Sequence, residues 1–285
     1  VTITDEGTYI LSGTLENGMI IVDAEETDKV QLVLDGVTVH SDTSAALYVR
    51  QADKVFVTLA SGSVNTLSSG DAYTAIDDNN IDAAIFSKDD LTLNGSGSLT
   101  IVSPAGHGVV SKDDLVITDG TYDITAAGHG LSGKDSLRIA DGSFDIVSGK
   151  DAIHSENEDD TTLGYVYIAD GTFTLTADWD GVSASGDMLI LDGEFSIQTG
   201  GGSAAASLSN RNGQMPGQTA AAEDTASTKG VKAAGNLTLN GGSFTIDSAD
   251  DALHSNANLT VSGGTYLIST GDDGLHADGA LSVID

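Results

Sequence analysis

The sequence lacks cysteine altogether, and it has only two prolines, one tryptophan and few basic residues. The absence of cysteine excludes a disulfide scaffold. Lys and Arg number 11 against 43 Asp and Glu, which gives a net charge of −32. Because this charge repels phosphate backbones and anionic surfaces, nucleic acid is a poor partner. No stretch approaches the roughly 18 apolar residues of a membrane span, so we expect no membrane insertion.

Neither a signal peptide nor an initiating methionine is present, since the chain begins at Val1. We therefore expect a processed or excised part of a longer protein. Apolar residues make up 39% of the chain, which is enough for a substantial core and argues against wholesale disorder.

What the chain does contain is 35 glycines and a repeat. A short phrase, a small residue followed by a branched apolar residue, recurs from Gly108 onward with spacings of 22, 22, 29, 49, 22 and 22 residues. Ala46-Leu47 and Ala84-Ile85 extend the pattern toward the N-terminus, and the longer spacings contain insertions near 156–162 and 201–228. The copies from Gly108 onward are Gly108-Val109, Gly130-Leu131, Ala152-Ile153, Gly181-Val182, Gly230-Val231, Ala252-Leu253 and Gly274-Leu275.

Within each unit, apolar and polar residues alternate with a period of two, which is typical of strands with one inward face. Three short strands per unit predict an all-β fold: a single-stranded right-handed parallel β-helix, a solenoid of about 22 residues per coil. We expect one such domain over residues 1–285. Equivalent residues of successive coils should lie about 4.8 Å apart in columns. One internal column is predicted to hold Leu115, Leu137, Leu189, Leu237 and Leu259.

One column is a candidate metal-binding site, because it repeatedly places an acidic residue just before the small residue of the phrase. In the last two coils four carboxylates must converge, and they repel one another unless a cation intervenes. Oxygen ligands suit Ca²⁺ rather than Zn²⁺, so calcium is the expected cofactor. The alternative is that these aspartates cap turns by accepting backbone N–H bonds. The four residues are Asp250, Asp251, Asp272 and Asp273.

Two further groups are candidate metal ligands. Asp151 and Asp180, with Asp178 nearby, form one of them, and the acidic insertion near 156–162 is placed to fold over it. For the other group, a solvated loop between strands is an equal alternative. It consists of Asp77, Asp78 and Asp82.

Basic and aromatic residues on the same edge are candidate carbohydrate contacts. Lys229 and Lys232, together with Lys150, could meet the carboxylate of an acidic sugar. The alternative is that Lys229 is a salt-bridge spacer in place of a metal. Trp179, the only tryptophan, would offer a stacking platform to a sugar if its ring is exposed.

The histidines fall at two positions of the repeat. His254 is predicted to stack over His276, either as a sugar contact or as a structural ladder on the outer face of the coils. His107 and His129 occupy the acid column in two earlier coils. We interpret these two as marking coils that have dropped the metal site.

Several segments resemble a family of secreted bacterial carbohydrate-binding β-helix proteins. They are Ser-Lys-Asp-Asp-Leu at 87–91 and 111–115, Thr-Lys-Gly-Val-Lys-Ala at 228–233, Asp-Asp-Ala-Leu-His at 250–254, Asp-Asp-Gly-Leu-His at 272–276 and the opening strand at 7–15. The resemblance implies a calcium-containing β-helix, related in architecture to pectate lyases, that binds acidic plant cell-wall polysaccharide such as polygalacturonate or pectin, and cellulose. It implies calcium ligation by Asp250, Asp251, Asp272 and Asp273. It also implies a bacterial protein that is secreted or held at the cell surface, and we expect a monomer.

Three functions fit these residues. The expected one is calcium-dependent binding of acidic polysaccharide without catalysis, because calcium can bridge an acidic protein to an acidic glycan. A polysaccharide lyase acting on uronate polymers would need a base, such as Lys150, Lys229 or Lys232, and a cation to stabilise the enolate. Aspartates around these lysines favour the charged amine, which argues against catalysis. A calcium-stapled adhesin or scaffold would instead lose stability in chelator and bind no glycan.

Overall fold

The computed structural model describes residues 1–206 and 226–284, and in these ranges the chain forms a stack of β-strand coils. From residue 47 onward, each coil except the last contributes one strand to each of three parallel ladders, which we call face 1, face 2 and face 3 in chain order. The last coil contributes strands to faces 1 and 2. The helical structure of the described ranges is a single 3-10 turn at Ser203–Ala205. No helix in that part of the chain is long and apolar enough to cross a membrane.

Face 1 is an 11-stranded parallel ladder of short strands. Its strands are β1 (Thr2–Ile3), β3 (Ile20–Asp23), β5 (Leu47–Gln51), β8 (Ala83–Ser87), β11 (His107–Ser111), β14 (Leu131–Gly133), β17 (Ile153–Ser155), β20 (Val182–Ala184), β23 (Val231–Ala233), β26 (Leu253–Ser255) and β29 (Leu275–Ala277).

Faces 2 and 3 continue each coil and share two long strands at the N-terminal end, β2 (Gly7–Leu15) and β4 (Lys29–Ser41). Face 2 then contains β6 (Lys54–Leu59), β9 (Asp90–Gly95), β12 (Asp114–Ile117), β15 (Ser136–Ile139), β18 (Tyr165–Ile168), β21 (Met188–Ile190), β24 (Leu237–Leu239), β27 (Leu259–Val261) and β30 (Leu281–Val283). Face 3 contains β7 (Val64–Ser69), β10 (Ser98–Ser103), β13 (Thr121–Ala126), β16 (Ser143–Ser148), β19 (Thr172–Ala177), β22 (Glu194–Thr199), β25 (Ser243–Ser248) and β28 (Thr265–Thr270).

The strand register of face 1 confirms the predicted repeat and the all-β parallel β-helix. The branched apolar residue of every copy of the phrase pairs with its equivalent one coil away, across both insertions. The insertion near 156–162 lies between β17 and β18, and most of the one near 201–228 lies outside the described residues. The paired residues are Leu47, Ile85, Val109, Leu131, Ile153, Val182, Val231, Leu253 and Leu275.

The predicted internal leucine column was wrong at one position. In face 2, Leu137 pairs with Val166, and Val166 pairs with Met188 rather than with Leu189. Leu189 pairs with Tyr167 and is only half-buried. Because neighbouring residues of a strand point to opposite sides, a difference of one residue in register moves Leu189 out of the core.

The phrase begins with a small residue because the coil interior is tight there. At Gly230, a Cβ atom would lie 2.6 Å from Cγ2 of Ile246 and 2.6 Å from the carbonyl oxygen of Ala252. Ile246 belongs to β25 in face 3, and Ala252 is the small residue of the next copy of the phrase. At Gly230, the corner between face 3 and face 1 therefore leaves little room beyond the backbone.

A ladder of six aromatic rings runs through the core from face 3. Adjacent centroids are 4.5 to 5.2 Å apart, and adjacent ring planes lie within 12° of parallel. This spacing follows from the distance between strands in a sheet, because each ring occupies the same position of its coil. The ladder consists of Tyr122, Phe144, Phe173, Phe195, Phe244 and Tyr266.

Removing one ring should destabilise the coils on both sides of it. We predict that Phe195→Ala lowers the free energy of unfolding by about 3–5 kcal/mol, because Phe195 is 3% exposed and stacks on Phe173 and Phe244. Urea unfolding measures the change. Ser196→Ala, at the next and exposed position of β22, is the matched control and should change the value by less than about 0.5 kcal/mol. Equal effects of the two substitutions would contradict the ladder's contribution.

Candidate functional site

The candidate site lies along the edge where the chain passes from face 3 to face 1. The residue just before the small residue of the phrase forms a column there, because the strands of face 1 stack in register. The residue three positions further along lies beside this column in face 1. We call the first set the edge column. It consists of His107, His129, Asp151, Asp180, Lys229, Asp251 and Asp273.

Aspartates of the edge column tie each coil to the next through backbone hydrogen bonds. Oδ1 of Asp151 accepts the N–H of Asp180 at 2.9 Å, and Oδ1 of Asp180 accepts the N–H of Lys229 at 2.7 Å. Oδ1 of Asp251 accepts the N–H of Asp273 at 3.0 Å. This is the capping arrangement that the sequence allowed as the alternative to metal binding. It engages one oxygen of each carboxylate and leaves Oδ2 for a second partner.

Three of the four predicted calcium ligands come together near the C-terminal end. One carboxylate oxygen from each of Asp250, Asp251 and Asp272 lies within 4.8 Å of the others. We call these three the C-terminal acid group. The Asp273 carboxylate is not part of this group, and its Oδ2 lies 3.3 Å from Nδ1 of His276.

The donor set of the C-terminal acid group fits calcium, because it offers only oxygen atoms and Asp272 is exposed to water. A lysine already uses the same carboxylates, however. Nζ of Lys229 forms an ion pair with Asp250 and lies 3.8 Å from Oδ2 of Asp251. Calcium and the Lys229 ammonium would therefore compete for two of the three aspartates.

The second predicted metal group is divided between different partners. Oδ2 of Asp151 bonds to Nδ1 of His154 at 2.7 Å, and Oδ2 of Asp180 lies 3.5 Å from Nζ of Lys232. Burial, followed by the neighbouring Asp151, raises the pKa of Asp180, and Lys232 opposes this shift. Asp178 is exposed and lies outside this network. The sequence therefore placed Asp151 and Asp180 correctly on one edge but missed their basic partners.

The third predicted group is engaged in a local loop. Asp77 accepts the hydroxyl hydrogen of Tyr48 at 2.7 Å and the N–H of Asn79 at 2.8 Å. Asp78 is exposed, and Asp82 lies 3.9 Å from Nε2 of His107. The three aspartates do not form a three-ligand cluster in the described residues.

Histidine rings form two stacks on the outer surface of face 1 and its edge. The first contains His107, His129 and His154, with centroids 4.9 and 4.0 Å apart, and the second contains His254 and His276, 4.7 Å apart. Burial, followed by the nearby His154, His107 and Lys150, lowers the pKa of His129. Burial also opposes a charge on His154, but hydrogen bonds to Asp151 and Glu156 outweigh it and raise the pKa of His154 to about 9.

An open groove of about 390 Å³ lies over the first histidine stack. Lys112, Lys134 and Lys150 line it together with the acidic insertion, of which Glu156 and Asp159 form part of the wall. Lys134 is paired with Asp159 at 2.7 Å. Sequence reasoning identified Lys150 here but missed Lys112 and Lys134. The signal was available, because both lysines follow the first residue of a repeated turn and are 22 residues apart.

Two of these lysines lie over aromatic rings. Nζ of Lys150 is 4.9 Å from the centroid of the Trp179 ring, and Nζ of Lys112 is 5.5 Å from that of Phe86. Trp179 is half-buried and meets His129 edge to face. In place of an open stacking platform, the indole carries a lysine ammonium on its face and holds it at the groove by a cation–π contact.

Comparison with known proteins agrees with this architecture. A family model described as carbohydrate-binding domain-containing protein matches residues 1–274. A protein of that description from Acetivibrio thermocellus is 39% identical over 128 residues, which cover 44% of this chain and 45% of the relative. The match therefore spans less than half of the relative's length.

A solved structure extends the similarity to the whole chain. It is described as that of the polysaccharide lyase-like protein from C. thermocellum, in a gadolinium derivative. It matches 100% of this chain and 87% of its own, with a TM-score of 0.63 and 26% identity. Together with the family match over residues 1–274, this places the chain in the family of carbohydrate-binding domain-containing proteins, with a polysaccharide lyase-like β-helix fold.

Proposed function

We propose that this protein binds an acidic polysaccharide of the polygalacturonate or pectin type along face 1, without catalysis. The observation that carries the proposal is that two lysines of the groove have no acidic partner in the described residues. Within residues 1–206 and 226–284, neither Lys112 nor Lys150 has a carboxylate within 4.0 Å, although the chain carries 43 acidic residues. Two ammonium groups on one groove are available to the carboxylates of an acidic glycan.

The shape of the groove supports a polymer rather than a small ligand. It is open, it follows the stacked coils of face 1, and the acidic insertion borders one side. A chain of uronate residues lying along the coils would meet Lys112 and Lys150 in succession. The acidic wall at Glu156 and Asp159 would repel a carboxylate and thereby favour one placement of the chain.

Calcium is part of the proposal at the other end of face 1. The C-terminal acid group offers oxygen ligands, and an ion held there would present positive charge to the same glycan. Lys229 limits its affinity by occupying Asp250 and Asp251. An extracellular location, secreted or at the bacterial surface, is consistent with a plant cell-wall polysaccharide as partner and with millimolar calcium as a ligand.

The lysine groove is tested by titrating the protein with polygalacturonate. We predict that Lys112→Ala combined with Lys150→Ala weakens binding about tenfold or more, because two charge-assisted contacts are lost, and that salt weakens wild-type binding. Calorimetry measures the affinity. Lys29→Ala is the matched control, since Lys29 is an exposed lysine 3.5 Å from Asp53 on face 2 and should not alter binding.

The same titration is read for unsaturated product by ultraviolet absorbance, with calcium and with chelator. Binding without product supports the proposal. Formation of product would make the protein a lyase and contradict the absence of catalysis. Binding that the double variant retains would contradict the role of the groove, and no binding in either state would contradict the glycan proposal as a whole.

A separate substitution tests the calcium component. We predict that Lys229→Met increases calcium affinity several-fold or more, because Asp250 and Asp251 lose their ammonium partner and are free to ligate the ion. Isothermal calorimetry with calcium measures it. Lys232→Met, which removes a partner of Asp180 rather than of the C-terminal acid group, is the control. Unchanged affinity in Lys229→Met would show that calcium does not bind at these aspartates.

A further inference from the structure

The first histidine stack contains an unusual buried atom. His129 is 8% exposed, and its Nδ1 is buried without a hydrogen-bond partner in the described residues. A buried polar atom without a partner is costly, so it calls for an explanation. The second stack also brings one ligand atom from each of Asp251, His254 and His276 within 4.8 Å of one another. It has no unpartnered buried nitrogen at His254, however, because His254 uses Nδ1 on Asp251 and Nε2 on Asn256, both at 2.7 Å.

Two further ligand atoms converge on this nitrogen. Oδ2 of Asp151 lies 3.4 Å from Nδ1 of His129 and 2.7 Å from Nδ1 of His154. One ligand atom from each of the three residues lies within 4.8 Å of the other two. We propose that His129, Asp151 and His154 form a binding site for a divalent transition-metal ion such as Zn²⁺ or Co²⁺. Two imidazole nitrogens and one carboxylate oxygen are a donor set for these ions and not for calcium.

The surroundings of the three ligands are those of a metal site. Oδ1 of Asp151 is fixed by the N–H of Asp180, so its Oδ2 is directed to the histidines. Nε2 of His154 lies 3.4 Å from Oε2 of Glu156, an arrangement in which a carboxylate receives the second N–H of a metal-binding imidazole. Backbone N–H of His129 donates to Nδ1 of His107 at 2.8 Å and holds this residue in place.

Binding requires a limited rearrangement. A tetrahedral ion at about 2.0–2.1 Å from each ligand holds neighbouring ligand atoms about 3.3 Å apart. The separation between His129 and Asp151 matches this value at 3.4 Å, whereas the 2.7 Å contact between Asp151 and His154 must widen as the shared proton leaves. The two rings, now 15° from parallel, must tilt so that both nitrogens point at the ion.

Such an ion would have open coordination positions beside the groove, because His129 and His154 both line it. Water or the carboxylate of a bound ligand can fill these positions. The site does not depend on glycan binding, and it differs from the C-terminal acid group in donor atoms and in location. Its failure and the failure of the proposed function are therefore distinguishable.

The test is titration of chelator-treated protein with Co²⁺, read by ligand-field absorption in the visible range, and competition with Zn²⁺. We expect one Co²⁺ per chain with a spectrum that shows nitrogen ligation, displaced by Zn²⁺ and not by millimolar Ca²⁺. His129→Gln and Asp151→Asn should each weaken binding about 100-fold or more. His40→Gln, which lies outside both groups and bonds Oγ of Ser68 at 2.9 Å through Nδ1, should leave affinity within about twofold of wild type.

A measurement on the wild-type protein tests the same proposal if the variants fail to fold. In NMR spectra, Co²⁺ should broaden the ring signals of His129 and His154 before those of His254 and His276. Absence of Co²⁺ binding, displacement by Ca²⁺, retention of the spectrum in His129→Gln, or first broadening at His254 and His276 would each overturn the proposal.

Discussion

The in-register stacking of coils is the constraint on which the rest of the structure depends. Each residue lies over its equivalent one coil away, at the spacing of strands in a sheet. When a residue type attracts its own kind at this spacing, repeating it in every coil stabilises the stack. When a residue type repels its own kind, repeating it destabilises the stack. The aromatic ladder shows the first outcome, with centroids 4.5 to 5.2 Å apart over six coils. The edge column shows how the second is avoided.

Carboxylates stacked at this spacing would repel one another, and three of the four aspartates of the edge column avoid this by making two contacts each. In Asp151, Asp180 and Asp251, Oδ1 accepts a backbone N–H of the next coil and Oδ2 lies beside a histidine or a lysine. Two of the scarce basic residues, Lys229 and Lys232, lie where this pairing is needed. Lys112 and Lys150, which have no carboxylate within 4.0 Å in the described part of the chain, lie at the groove. In this protein, the positions of the lysines therefore say more about the candidate binding site than the net charge does.

Much of this arrangement could be predicted from the sequence, because a solenoid converts spacing along the chain into proximity. The repeat placed Val109, Leu131 and Ile153 in one column without any structure, and the same arithmetic placed His254 over His276. Periodicity was less reliable next to the first insertion. There, a one-residue choice between Met188 and Leu189 decided which side chain is buried, and only the observed pairing settles it.

Contacts between different positions of the repeat were harder to predict. The sequence marked His129 as a sign of a dropped metal site, because the acid column was read alone. The structure brings Asp151 from the next coil and His154 from three residues further along into reach of it. Likewise, the cation–π contact of Lys150 with Trp179 depends on side-chain direction, which spacing does not encode.

Trp179 also provides the most direct test of the central claim, that an acidic glycan binds along the face 1 groove. It is the single tryptophan of the chain, and it lies under Lys150. The measurement is tryptophan fluorescence during titration with a defined oligogalacturonate, compared with a neutral cello-oligosaccharide. We predict a saturable change in emission for the acidic sugar, weakened by salt, and no change for the neutral one. Binding of oligogalacturonate, measured by calorimetry, with unchanged tryptophan emission would place the glycan elsewhere and contradict the account.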